Sequence, residues 1–167
     1  VSALTTPLTL QDSQTLRATG TTTTGTINGS ATKGLTMGAN TALEFSAFKG
    51  TVAPLRVALS VVLTLKSTTP VTVTVSNAGT PLAIGDYKLI AKSNTATVTG
   101  TPNNVTVNGD GIAAGTTASL VIISGELYLR IVGSPGTLAL SSPTYSVSEN
   151  GGSATVTTWP ATRTAEG

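Results

Sequence analysis

Short runs in which apolar residues alternate with polar ones, each run closed by a turn after a few positions, dominate this chain. Val71, Val73 and Val75 are spaced by Thr72 and Thr74, Leu63 and Leu65 by Thr64 with Lys66 following, Leu43 and Phe45 by Glu44, and Leu127, Leu129 and Ile131 by Tyr128 and Arg130. A period of two sends successive side chains to opposite faces of a strand, so the aliphatic set faces a core and the intervening residues face outward. No segment holds an i, i+3, i+4 apolar stripe for the length of a helix. Turn signals stand between the runs at Asn28-Gly29, at Gly38 with Asn40, at Asn77 to Gly79, at Asn108-Gly109 with Asp110-Gly111, and at Asn150-Gly151-Gly152, residue types that tolerate positive φ. The fold class expected is all-β, with a dozen or more short strands.

The spacing of the runs narrows the architecture. LTL (8–10), TLRAT (15–19), GTI (25–27), LTM (35–37), ALEF (42–45), LRV (55–57), VLTL (62–65) and VTVTV (71–75) recur every eight to twelve residues or so, a rhythm shared by sandwiches and solenoids. The units are short, Gly-bounded and weakly similar to one another, as in GLTMGANTALEF beside VVLTLKSTTPVTV. They therefore predict a β-solenoid or β-helix-like stack of short strands, in which each coil buries its face only against its neighbours. A C-terminal extended β segment follows it. A β-sandwich is the alternative.

Composition excludes most chemistry. The chain of 167 residues contains no His and no Cys, so the usual general base, thiol nucleophile and zinc ligands are all missing. Charged residues make up 10% of the chain, against about 25% in ordinary globular domains. The surface is wetted instead by hydroxyls, from 34 Thr and 16 Ser. The net charge of +2 is spread over dispersed lysines, Lys33, Lys49, Lys66, Lys88 and Lys92, which make no basic stripe, and the few aromatics make no stacking platform; no nucleic-acid partner is expected. The longest apolar run, Leu120 to Ile123, is strand-sized and far short of a membrane-spanning helix. No charged-then-apolar leader opens the sequence, which is read as a mature or excised segment. Lack of Cys fits a bacterial secreted protein.

Two stretches carry resemblances. TPLAIGDYKLIAKS (80–93) and NNVTVNGDGIAAGTTASLVIISGELYLRIV (103–132), with ATKGLTMGANTALEFSAF (31–48) before them, resemble the passenger regions of bacterial autotransporter-type surface proteins built from autotransporter-associated β-strand repeats. The resemblance covers most of residues 30–133. It implies that the strand Gly85-Asp86-Tyr87-Lys88-Leu89-Ile90 and the strand from Gly125 to Val132 close the stacked coils, giving a repeat domain over 1–133 with a terminal capping part at about 80–133. GTLALSSPTYSVSENGGSATVT (136–157) is similar to the opening of a Calx-beta domain. That likeness implies Glu149 as a calcium ligand and Ca²⁺ as the one cofactor to consider. Thr158-Trp159-Pro160 departs from the family pattern, and only Glu149 and Glu166 supply carboxylates to the tail, whereas Ca²⁺ takes six to eight oxygens. Residues 134–167 are thus either a partial Calx-beta-like segment or a tail that completes a neighbouring subunit by strand addition. In the second case Trp159, Tyr145 and Val147 are the candidate subunit contacts.

Other candidate sites have plainer readings. Asp12, Glu44, Asp86, Asp110, Glu126, Glu149 and Glu166 are scattered and read as solubilising charges rather than as the carboxylate pair of a glycoside hydrolase. Asp110 reads as a tight-turn residue. Thr32-Lys33-Gly34 lacks the glycines of a phosphate loop, and the sequons at Asn28 and Asn104 read as chance matches in so Thr-rich a chain. The function expected is structural and non-catalytic, outside the cell: a stalk or fibre-forming subunit or segment of a bacterial surface assembly or adhesin. Its partners would be further copies or neighbouring domains of a larger surface protein. The alternative is a glycan- or calcium-binding module within a larger adhesin.

Overall fold

The computed structural model describes residues 8–20, 24–29, 34–38 and 40–135, and every regular element among them is a strand. The first coil is β1 (Leu8–Leu10), β2 (Thr15–Thr19) and β3 (Gly25–Gly29). The second is β4 (Leu35–Met37), β5 (Ala42–Phe48) and β6 (Leu55–Leu59), and the third is β7 (Val62–Leu65), β8 (Val71–Val75) and β9 (Gly85–Lys92). β10 (Thr97–Gly100) and β11 (Val105–Gly109) begin a fourth coil, followed by β12 (Thr116–Ile123) and β13 (Glu126–Gly133). The chain is a β-solenoid of about three turns.

Equivalent strands stack into three sheets. The first runs β1-β4-β7-β10 and the second β2-β5-β8-β11, all parallel. The third runs β3-β6-β9-β13-β12, parallel as far as β9. Register aligns like with like: Leu8, Leu35, Leu63 and Val98 form one inward column, and Leu16, Leu43, Val71 and Val105 another. The lumen they enclose is packed with Met37, Phe45, Phe48, Val57, Leu63, Val73, Leu89 and Ile90, none of which is exposed. Outward, Thr9, Thr36, Thr64 and Thr99 stand one above another. Such a ladder satisfies the backbone of each strand from both neighbours, while the β-branched Thr wets the outer face without charge.

The expected strands LTL, TLRAT, LTM, VLTL and VTVTV have the bounds read from sequence. Asn28-Gly29 is a correction: both residues lie in β3, paired with Ala58 and Leu59 of β6, and Gly29 is buried. The parallel partner supplies the backbone bonds there, which overrides the local turn preference. Likewise Asn108-Gly109 ends β11, and the turn begins at Asp110. β5 also runs past Phe45 to Phe48 through an irregularity at which Ala47 has a φ of 50°, which returns Phe48 to the lumen.

The last coil breaks the pattern. β13 pairs antiparallel with β9 on one side and with β12 on the other, so β12 runs in the same direction as β9 but sits one strand further out. Coil length changes as well. Arg17 and its neighbour Glu44 in the next coil are 27 residues apart, whereas Thr64 and Thr99 are 35 apart. The extra chain lies between Val75 and Ile90: the β8–β9 connection is longer than the β5–β6 one, and β9 itself begins at Gly85, five residues before Ile90 comes opposite β6. The described residues through Ser134 form one compact unit. The Calx-beta-like stretch, with Tyr145, Val147, Glu149 and Trp159, lies outside the described residues.

Candidate functional site

Two features distinguish themselves from the uniform Thr-lined wall: the first-coil end of the described strands and the charged outer face of the third sheet. The first follows directly from the topology. β1, β2 and β3 are each the terminal strand of their sheet, so no described strand pairs with their outer edges. A cavity of about 230 Å³ there is lined by Leu8, Leu10, Leu16, Ile27 and Leu35 together with Thr26 and Asn28. Leu8 is 43% exposed. Leu43 of the second coil is fully buried between described strands on both sides, whereas its first-coil counterpart Leu16 is half-buried, with a described strand on one side.

The second feature is built by the β9–β13 pairing. Tyr128 lies opposite Lys88 and Arg130 opposite Asp86, so outward positions of two strands far apart in sequence become neighbours. Arg130 donates from Nε to Asp86 Oδ1 and from a terminal nitrogen to Oδ2, both at 2.7 Å. Lys88 Nζ lies 2.8 Å from Glu126 Oε2 and 5.5 Å from the centre of the Tyr128 ring. The Tyr128 hydroxyl donates to Glu126 Oε2 at 2.9 Å and the Lys92 amide to Oε1 at 3.0 Å.

These contacts set the titration of the cluster. Burial pushes the Glu126 carboxyl up, but the Lys88 ammonium, the Lys92 amide and the Tyr128 hydroxyl together hold it below the usual carboxylate range. The hydrogen bond to Glu126 raises Lys88. Arg130 lowers Asp86 through its hydrogen bonds and its charge, and is itself raised by Asp86. Each charged group in the row therefore already has a partner within the sheet. The row stabilises charge in place, as a cross-strand network does.

The other acids named from sequence remain apart. Glu44 pairs with Arg17 across the first two coils at 2.8 Å, and Asp12 is exposed in a turn. Asp110 is in a turn, as expected, and has a further role: its Oδ2 accepts the amides of Asn77 and of Gly79, the latter at 3.1 Å, and so ties the wide turn of the third coil to the fourth. Among the described residues no group of three or more acids could hold a metal ion. Glu166, Glu149 and the contact candidates Trp159, Tyr145 and Val147 lie outside those residues, as do Thr32 and Lys33. Sequence reading missed the cavity at the first coil, because LTL at 8–10 looks like every other inward-facing strand. Comparison of the chain with family models, with curated proteins and with solved structures returned no match.

Proposed function

We propose that the chain is a non-catalytic structural module of a bacterial extracellular surface protein, a stalk-like stack of coils that associates through its ends. The observation that carries this reading is the vertical continuity of the ladders. The Leu8–Leu35–Leu63–Val98 column and its neighbours run through successive coils in register, and their outward companions are hydroxyls that bond between coils, as Thr19 does with Ser46 at 3.2 Å and Ser60 with Thr95 at 2.9 Å. Stability in such a stack is a sum of coils and the interfaces between them, which suits an element that spans distance. A surface of hydroxyls with low charge removes the repulsion that would keep neighbouring modules apart.

The experiment is a thermal-shift series with Ca²⁺, with chelator and with a glycan panel, alongside an assay for glycoside hydrolysis. A ligand bound by the folded state alone raises its melting temperature. The structural reading expects a flat series and no turnover. A saturable rise with Ca²⁺ or one glycan would replace it with the binding-module reading, and turnover with an enzyme.

A further inference from the structure

An asparagine followed by glycine is a chemically weak point, because glycine has no side chain to hinder its own nitrogen from reaching the side-chain amide before it. Among the described residues there are two such pairs, Asn28-Gly29 and Asn108-Gly109, and each ends a strand. The fold treats them differently. Gly29 is buried, Asn28 is half-buried, and the Gly29 carbonyl accepts the Ser60 amide at 3.2 Å. A residue in a parallel ladder turns its N–H and its C=O to the same neighbour, so the Gly29 nitrogen is turned towards β6 and held in the ladder.

At the second pair the phase is opposite. Val75 is the register partner of Gly109, and its carbonyl accepts the amide of the next residue, Asp110, at 3.1 Å. The Gly109 nitrogen is therefore turned away from β8. Asn108 and Gly109 are both exposed. Glycine is also required at this position, since its φ is 72° and a Cβ would collide with the Val75 carbonyl. The fold itself thus imposes the reactive pair.

We propose that Asn108 is a site of spontaneous deamidation, and that the change loosens the clasp between the fourth coil and the third. The main-chain nitrogen of Gly109 attacks the side-chain amide carbon of Asn108. A new C–N bond closes a succinimide ring as the bond to the side-chain nitrogen breaks, and that nitrogen takes up the Gly109 proton and leaves as ammonia. Water then opens the ring at either carbonyl, to give aspartate or the β-linked isoaspartate. Bringing the nitrogen to the carbon requires the Asn108–Gly109 peptide to rotate, for which only the end of β11 has to fray, a local opening of low cost.

The consequence falls on Asp110. Its Oδ2 accepts the amides of Asn77 and Gly79, and its own amide is held by Val75. Either product places a second negative charge two residues before it, and isoaspartate also lengthens the main chain by a methylene where the register must be kept. The inference goes beyond the reading of the chain as a structural module and does not depend on it.

The test holds the full chain at mildly alkaline pH, which favours loss of the attacking nitrogen's proton, and follows each asparagine over time by peptide mapping, with enzymatic methylation to mark isoaspartate. In the folded chain Asn108 should convert at least about tenfold faster than Asn28, the ratio between a frayed strand end and one held in its ladder, and in urea the two rates should converge. After conversion, the amides of Asn77 and Gly79 should exchange faster with solvent while those of β5 stay unchanged. Asn108→Gln, at an exposed outward position, should stop both the conversion and the loosening. Equal rates at Asn28 and Asn108 in the folded chain, conversion at Asn108 without isoaspartate, or unaltered exchange at Asn77 and Gly79 after conversion would each overturn the proposal.

Discussion

Thr41 and Thr69 occupy equivalent corners of neighbouring coils, each two residues before a register pair, Leu43 and Val71. Both are buried, at 0% and 1% exposure. The Thr41 hydroxyl donates to the Gly38 carbonyl at 2.8 Å, whereas that of Thr69 has no partner. A buried hydroxyl without a bond carries its desolvation cost uncompensated. Thr41→Val should therefore lose about 1 kcal/mol, while Thr69→Val should be neutral or gain up to about 1 kcal/mol; urea unfolding of the two variants distinguishes them, and a clear loss at Thr69 would show that its hydroxyl is bonded after all. A second pair concerns glycine. Gly109, with φ at 72°, lies so close to the Val75 carbonyl that a Cβ would collide with it, while Gly79, with φ at 80°, faces open space. Gly79→Ala should cost about 1 kcal/mol of backbone strain and Gly109→Ala roughly 3 kcal/mol or more, measured by the same denaturation.

At the level of elements, the β12–β13 hairpin decides how the stack ends. Leu129 is fully buried on β13, between two strands, and Leu120 opposite it is half-buried on the outermost strand. Leu129→Ala should cost about 2–5 kcal/mol and Leu120→Ala markedly less, as read from unfolding midpoints; equal losses would mean that β12 is covered by something further. The hairpin also gives the fold an acid-sensitive seam. Glu126 and Asp86 both have carboxyl groups held below their ordinary values of 4.5 and 3.8. A carboxyl depressed in the folded state adds stability that is present above its unfolded pKa and lost as pH falls through the folded one. The melting temperature should thus decline as pH drops below the mid-fours, and Glu126→Gln should flatten that decline; an unchanged slope would show that the cluster is not responsible. Sequence placed Tyr128 and Arg130 on an outward face correctly. It could not supply Lys88 and Asp86 as their partners, because those lie on β9 and the pairing exists only through the insertion of β13.

Across the whole molecule, each coil is held chiefly by the coils above and below it. β5 and β8 each have a described strand on both sides, so they should open last. Amide exchange should be slower in β5 and β8 than in β12, which has a described strand on one side only; equal protection of β8 and β12 would show that the stack unfolds as one unit. Alternation and spacing by themselves determined that the chain is all-β, which residues face the lumen, and where LTL, TLRAT, LTM, VLTL and VTVTV begin and end, because a period of two and a turn signal are local properties of the chain. The missing His and Cys set the expectation of a structural rather than a catalytic function in the same local way. Tertiary structure alone decided that Asn28 and Gly29 extend a strand, that Asp110 clasps a turn in the preceding coil, that charges on β9 and β13 meet, and that β13 inserts between β9 and β12. Those features depend on which strand lies beside which, and strand neighbours are chosen by the packing of the lumen over separations of 27 to 35 residues, a distance at which no local pattern in the sequence carries the information.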